Sequence, residues 1–264
     1  MMTAPATTLI RQARQAAFRH LMISDNLLIQ VHQGTKNVSV NGLDYQIPSN
    51  GIGLIPARYR ATIENIPEPE RDYLATIICI PTALKLPSHP TDEYAEPKGR
   101  LSCPSDPALT SAFDRAVAAI KNSEQLPPSI IEHRIQEVIL WLQEKQIYVP
   151  IPTPERLADR IRALFQSDLC ANWKSGTIAN RLGMSEATLR RKLAAESTSF
   201  SEELVDVRLS HALYLLQTSQ WSIGRIAAES GYQSQSRFSD RFHKRFGVTP
   251  SMIRTTAQTL SASA

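Results

Sequence analysis

The spacing of apolar and polar positions changes character along this chain of 264 residues. Between residues 26 and 80 the apolar residues come in short runs, several alternating with polar ones: "NLLIQVHQ", "KNVSVNG", "LDYQIPS", "GIGLIPA" and "YLATIICI". Alternation with a period of two marks a strand with one buried face. Gly34, Asn41-Gly42 and Ser49-Asn50-Gly51 punctuate the runs. Asn-Gly between apolar runs signals a hairpin, because a tight two-residue turn demands positive φ at both positions. Strands this closely spaced predict a small β-barrel or jelly roll over 26–80.

From residue 108 the period lengthens. "ALTSAFDRAVAAIKN" and "SIIEHRIQEVILWLQEKQ" have helical spacing, so flanking helices are expected over about 108–147. In the second, Ile131, Ile135, Val138, Ile139 and Leu142 fall on one stripe with charges opposite. That stripe needs a cover, either the chain's own barrel or the same stripe of a second copy in a dimer seam. The segment "YVPIPTPERL" then places Pro150, Pro152 and Pro154 at alternate positions, which suits neither helix nor ladder. A linker is expected there, dividing an N-terminal domain, 1–150, from a C-terminal domain, 151–264, that is helical throughout. The fold class predicted is therefore α+β.

The C-terminal domain contains an internal repeat. Aligning "TIANRLGMSEATLRRKL" (177–193) with "RIAAESGYQSQSRFSDRF" (225–242) carries Ser185, Leu189 and Leu193 onto Ser234, Phe238 and Phe242, 49 positions on. Ala179 and Gly183 fall 48 before Ala227 and Gly231. A small Ala lets two helices cross closely, Gly supplies the positive φ of a tight turn, and Ser caps the next helix. This is a helix-turn-helix pattern, present twice: a first unit at about 175–194, a linker helix at 201–217 and a second unit at about 222–246.

At about 100° per residue, Phe238, Phe242 and Phe246 share the inward side, with Ser236, Arg237, Asp240 and Lys244 largely opposite. In the first unit, with Leu189 and Leu193 inward, Ala187, Arg190 and Arg191 face out. The candidate DNA-binding set is Ser185, Ala187, Thr188, Arg190, Arg191, Ser234, Gln235, Ser236, Arg237, Ser239, Asp240 and Lys244. Trp173 is expected in the core, and Arg208 as either an internal capping partner or a DNA contact.

Composition and charge sharpen this picture. An apolar fraction of 42% and a charged fraction of 20% belong to an ordinary globular protein. The net charge of +4 is uneven: residues 171–254 hold 12 Lys and Arg against 7 Asp and Glu, as expected of a part that meets a polyanion. The most apolar stretch, residues 74–86, is too short to span a bilayer and is interrupted by Pro81. With no secretory pattern at the start, and only Cys79, Cys103 and Cys170 at wide spacing, a cytoplasmic location is expected.

The stretch "GYQSQSRFSDRFHKRFGVTP", followed by Arg254, resembles the signature of the AraC/XylS transcription regulators. The similarity runs upstream through Ile226-Ala227, Ser222-Ile223, "RLSHALYLL", Ser199-Phe200 and "MSEATLRRKL", about 100 residues in all. The resemblance implies two recognition helices on a rigid spacer, entering successive major grooves roughly 34 Å apart. It places Ala187, Arg190 and Arg191, and in the second unit Gln235, Ser236 and Asp240, at base edges. Asp240 stands where many members have Arg, Ser197 where a glycine is common, and Leu193 where Phe is common. The resemblance further implies a transcription regulator, an activator, with double-stranded DNA and RNA polymerase as partners.

In many members a cupin-like barrel binds a small effector and adjacent helices dimerise; "GTKNVSVNGLDYQIPSNGIGLIP" resembles such a barrel. A small-molecule effector and a homodimer are expected on that ground, and a partner protein in place of the metabolite is the alternative. A third reading, a metal-dependent cupin enzyme fused to a DNA-binding module, needs paired histidines one residue apart. His20, His32, His89, His133 and His211 are scattered instead, so no catalytic residue, metal or cofactor is assigned. Lys36, Tyr45, Arg58 and Tyr59 fit a pocket lining and a solvated barrel rim equally.

Overall fold

In the computed structural model, residues 4–87, 99–150 and 156–253 are described, and the chain divides into two compact units, 1–153 and 154–264. Pro152 and Pro154 of the expected linker, His89 and Arg254 lie outside the described residues.

The first unit holds two antiparallel sheets. One is five-stranded, formed by β1 (Ala6–Gln12), β3 (Asn26–Gln33), β6 (Gly51–Ile55), β8 (Tyr73–Ile80) and β9 (Ser102–Pro104) in the order β1-β8-β3-β6-β9. The other is four-stranded, formed by β2 (Ala16–Met22), β4 (Thr35–Val40), β5 (Leu43–Ile47) and β7 (Arg60–Ile66) in the order β2-β7-β4-β5. The Asn-Gly hairpin forms: Val40 pairs with Leu43 across Asn41 (φ 51) and Gly42 (φ 77). Val38 lies opposite Ile63 and Val40 opposite Ala61, all four buried.

The sheets reach beyond the expected 26–80. β1, β2, β7 and β9 add to the five strands read from the sequence, because β1 and β7 carry buried polar residues, Gln12 and Asn65, at core positions. Lys36 and Tyr45 are not rim residues either. Lys36 is 3% exposed, and the Tyr45 hydroxyl donates to the Leu54 carbonyl at 2.6 Å. Arg58 and Tyr59 are half-buried.

Helices α1 (Pro107–Lys121) and α2 (Pro128–Glu144) pack on each other. The apolar face of α1, including Leu109, Phe113 and Ala116, receives the α2 stripe, and Arg115 pairs with Glu137 across the exposed side. Ile131, Ile135, Val138, Ile139 and Leu142 are at most 7% exposed within the single chain. The dimer-seam reading of that stripe is thereby overturned: α1 already covers it.

The second unit is helical: α3 (Leu157–Ser167), α4 (Ser175–Arg181), α5 (Glu186–Ala195), α6 (Phe200–Thr218), α7 (Ile223–Glu229) and α8 (Gln235–Phe246). One core gathers Ile161, Phe165, Ile178, Ala179, Leu189 and Leu193. Phe165 meets Phe200 edge-on at 5.2 Å. Trp173, expected inside, sits half-buried at the rim with its ring 5.6 Å from Phe165 and its Nε1 donating to the Asp168 carbonyl. Among the described residues no helix is long and apolar enough to cross a membrane.

Candidate nucleic-acid interface

The two halves of the repeat fold alike. Ala179 and Ala227 are each 1% exposed at their helix crossings. Gly183 and Gly231 turn the chain at φ +67 and +76, where a Cβ would be strained. The residue after each glycine closes the turn in the same way: Met184 N–H donates to Ala179 O at 3.0 Å, and Tyr232 N–H to Ala227 O at 2.9 Å. Ser185 and Ser234 then cap α5 and α8, accepting from Thr188 N–H at 3.2 Å and Arg237 N–H at 3.3 Å. Buried side chains fix the helix faces. Leu189 and Leu193 anchor α5, while Phe238, Phe242 and Phe246 anchor α8 with ring centroids 5.6 and 4.6 Å apart.

With the inward faces set, the candidate residues separate. Ala187, Arg190 and Arg191 are exposed on α5, and Ser236, Arg237, Asp240 and Lys244 are exposed on α8. Thr188 and Ser239 are half-buried on the flanks, and the Thr188 hydroxyl is engaged 3.0 Å from that of Ser185. Gln235 turns toward the preceding helix: a Cβ built on Gly224 would lie 3.0 Å from its Oε1. Arg208 is a capping partner, donating to Leu169 O at 2.9 Å and Ala171 O at 3.0 Å.

The structure adds a residue that the sequence reading missed. Glu186, the first residue of α5, accepts from the Ser175 hydroxyl at 2.6 Å and lies over Gly176. The equivalent corner of the second unit holds the neutral Gln235 over Gly224. The 48- and 49-residue offsets that relate the two units align Gly176 with Gly224 and Glu186 with Gln235, so comparing the repeats exposes this difference. The outer end of the first unit thus carries a carboxylate where the second carries an amide.

α6 is fastened to α3 on one side and to the second helix-turn-helix unit on the other. Glu203, fully buried in α6, accepts from Arg162 of α3 at 2.5 Å, and Arg162 also reaches Asp159 at 2.7 Å. One turn on, Asp206 accepts from Arg245 of α8 at 2.7 Å. Glu196, just after α5, accepts from the N–H groups of Leu157 and Ala158 at 2.9 Å each and so closes the start of α3. Burial holds the His211 imidazole below its usual pKa and pushes the Tyr232 phenol above its own.

A helix-turn-helix domain family matches residues 178–256, which include α5 to α8. This unit therefore carries a helix-turn-helix domain of the AraC type, and it is similar to regulators of the AraC/XylS family. The transcriptional activator CfaD of Escherichia coli is 29% identical over 150 residues, covering 57% of this chain and 49% of CfaD. The dual transcriptional regulator Rns of E. coli is 37% identical over 98 residues, 37% of each chain. The virulence regulon activator VirF of Shigella flexneri is 32% identical over 109 residues, 40% of this chain and 42% of VirF. The chain thus spans about half or less of the length of these relatives. ToxT of Vibrio cholerae with an unsaturated fatty acid bound has the same fold, with a TM-score of 0.69 at 16% identity over 98% of this chain and 97% of ToxT. ToxT bound to (E)-4-(8-methylnaphthalen-1-yl)but-3-enoic acid gives 0.68 at 20% identity, over 97% and 100% of the two chains.

Proposed function

We propose that the protein is a sequence-specific DNA-binding transcription regulator that reads duplex DNA with α5 and α8 in successive major grooves. The observation that carries this reading is the pair of equivalent helices, each held by a buried apolar stripe, capped by a serine and presenting polar side chains outward. A groove-sized helix with exposed Arg, Ser and Asp has the groups that read base edges. Arg190 and Arg191 supply forked donors suited to guanine, Ala187 an apolar contact to a thymine methyl, and Asp240 an acceptor for a cytosine amino group. Lys244 and Arg237 are charges suited to phosphate. Because Arg190 and Arg191 can each fork to a guanine while the second unit offers Asp240, an acceptor that neighbouring phosphates repel, the first unit supplies most of the discrimination.

Activation is the direction assigned, since CfaD and VirF are named activators. Double-stranded DNA and RNA polymerase are the partners, in the cytoplasm, as a homodimer whose seam is other than the α2 stripe. The work is binding, not catalysis. Residues 1–150 serve as the regulatory domain and 151–264 as the DNA-binding domain.

The regulatory ligand is a small organic acid held inside the N-terminal β-sheet unit, 1–153. Lys36 Nζ sits between the sheets, donating to Asn65 Oδ1 at 2.5 Å and lying 5.2 Å from the centre of the Tyr73 ring. Asn65 in turn donates to Gln12 Oε1 at 3.0 Å. Burial lowers the Lys36 pKa to about 7, and among the described residues the buried Tyr73 hydroxyl has no hydrogen-bond partner. An amine buried among neutral groups is what a carboxylate would complete. Both ToxT ligands named above are carboxylic acids. Thermal shift with acids of graded chain length against their methyl esters tests this: stabilisation by acids alone supports it, and equal or absent stabilisation refutes it.

A further inference from the structure

The loop between α3 and α4, residues 168–174, has a fixed shape. Asp168 Oδ1 accepts from the N–H groups of Cys170 and Ala171 at 3.0 Å each, and the Asp168 carbonyl accepts from Trp173 Nε1 at 2.7 Å. The Trp173 ring lies 5.6 Å from Phe165 and 5.3 Å from the Arg181 guanidinium. Through its Trp173 ring the loop packs on α3 and on Arg181 of the first helix-turn-helix unit. Its next two hydrogen bonds leave that unit. Arg208, near the middle of α6, donates from Nε to Leu169 O at 2.9 Å and from Nη2 to Ala171 O at 3.0 Å.

The second unit closes on the same point from the other side. A Cβ on Gly231 would lie 2.3 Å from Leu169 O and 2.7 Å from Arg208 Nε, so the second unit's turn is pressed directly onto the Arg208 contact. Cys170 Sγ donates to Ala228 O at 3.4 Å, in the last turn of α7. The Arg245–Asp206 pair fastens the second unit to the spacer, and the Arg162–Glu203 pair fastens α3, which shares one core with α4 and α5. Arg208 differs, because spacer, first-unit loop and second-unit turn all meet on its guanidinium.

We infer that Arg208 is a positioning residue that locks the second reading head to the first, and so sets the spacing between the two DNA blocks that the protein accepts. The inference rests on the two-headed reading proposed above. A planar fork with two donors fixes two carbonyls in a defined geometry, which a single ammonium does not reproduce. Heads locked at one spacing bind their second block as an intramolecular event, and a change of one base pair turns that block by about 35° about the DNA axis.

The test uses the full chain, as wild type, Arg208→Lys and Arg208→Gln. Its duplexes carry the two blocks that the wild type selects, the same blocks moved apart or together by one and two base pairs, or either block scrambled. Arg208→Gln should bind single-block duplexes within about twofold of wild type and lose tenfold or more on the two-block duplex. Its penalty for a one-base-pair shift should shrink to less than about threefold. Arg208→Lys, which keeps the charge but not the planar fork, should fall between, and it carries the test should the glutamine variant not fold. Equal losses on single- and two-block duplexes would reduce Arg208 to a support of the fold. An unchanged spacing preference in a folded variant would overturn the inference while leaving the two-headed reading intact. A wild type that selects no pair of blocks removes both.

Discussion

Replacing Lys36 with methionine should make the first unit more stable at neutral pH, although it breaks a hydrogen bond. The folded-state pKa of Lys36 falls from 10.5 to about 7 because the amine is buried. At about 1.4 kcal/mol per pK unit, that shift costs ~5 kcal/mol of folding stability at and below pH 7. A depressed folded-state value contributes stability that is present above the unfolded pKa and lost as pH falls through the folded one. The cost is therefore absent above about pH 10.5 and grows by about 1.4 kcal/mol per pH unit down to pH 7. Against it stands Asn65 Oδ1, which accepts from Lys36 and would be left buried without a donor, at about 1–3 kcal/mol. The net gain expected for Lys36→Met at pH 7 is about 2–4 kcal/mol, which raises a urea midpoint by about 1–2 M. The assay is a urea titration of the full chain labelled with 5-fluorotryptophan. Trp141 reports on the first unit, while Trp173 and Trp221 report on the second. The Trp141 midpoint should rise at pH 7, the gain should vanish toward pH 10, and the other two signals should not move. A lower midpoint in the variant, or the same gap at pH 7 and pH 10, would refute the reasoning.

Three further outcomes are expected in the second unit. Arg191→Ala should cost about 1–3 kcal/mol of discrimination at one base pair, whereas Asp240→Ala should change sequence preference less and raise affinity for all duplexes; competition binding on single-base variants of the selected site measures both. Glu186→Gln should tighten binding roughly threefold to tenfold at low salt across all sequences, by removing an anion from the outer end of the first head, and an unchanged affinity would mean that no phosphate approaches it. Ser197, at φ +58, should be replaceable by glycine with a gain of about 1 kcal/mol in the stability of the second unit, read from the Trp173 signal, because a left-handed backbone is strained for residues with a Cβ.

The second unit was largely legible in the sequence because local geometry dictates its residue types. A close crossing needs Ala179 and Ala227, a left-handed turn needs Gly183 and Gly231, and an N-terminus favours Ser185 and Ser234. Outward faces followed from Leu189, Leu193 and the three phenylalanines by rotation alone. What rotation does not give is how a long side chain bends. Gln235 and Glu186 lean back over Gly224 and Gly176, and Arg208 seeks two carbonyls 37 and 39 residues away. The first unit was harder for the opposite reason. Gln12, Lys36 and Asn65 occupy core positions, so β1 and β7 lack an unbroken apolar alternation, and a lysine is almost never expected inside. The α2 stripe announced that it was covered without naming α1 as the cover.

The central claim, that two recognition helices on one spacer read DNA together, is tested most directly by selecting genomic fragments on the purified full chain at physiological salt. Binding of the recovered fragments is then repeated across a salt series. The account predicts a motif of two blocks about one helical turn apart, bound at least 10³-fold tighter than random duplex. Recovery of fragments with no shared motif, bound no tighter than random duplex with and without the organic acids, would contradict it.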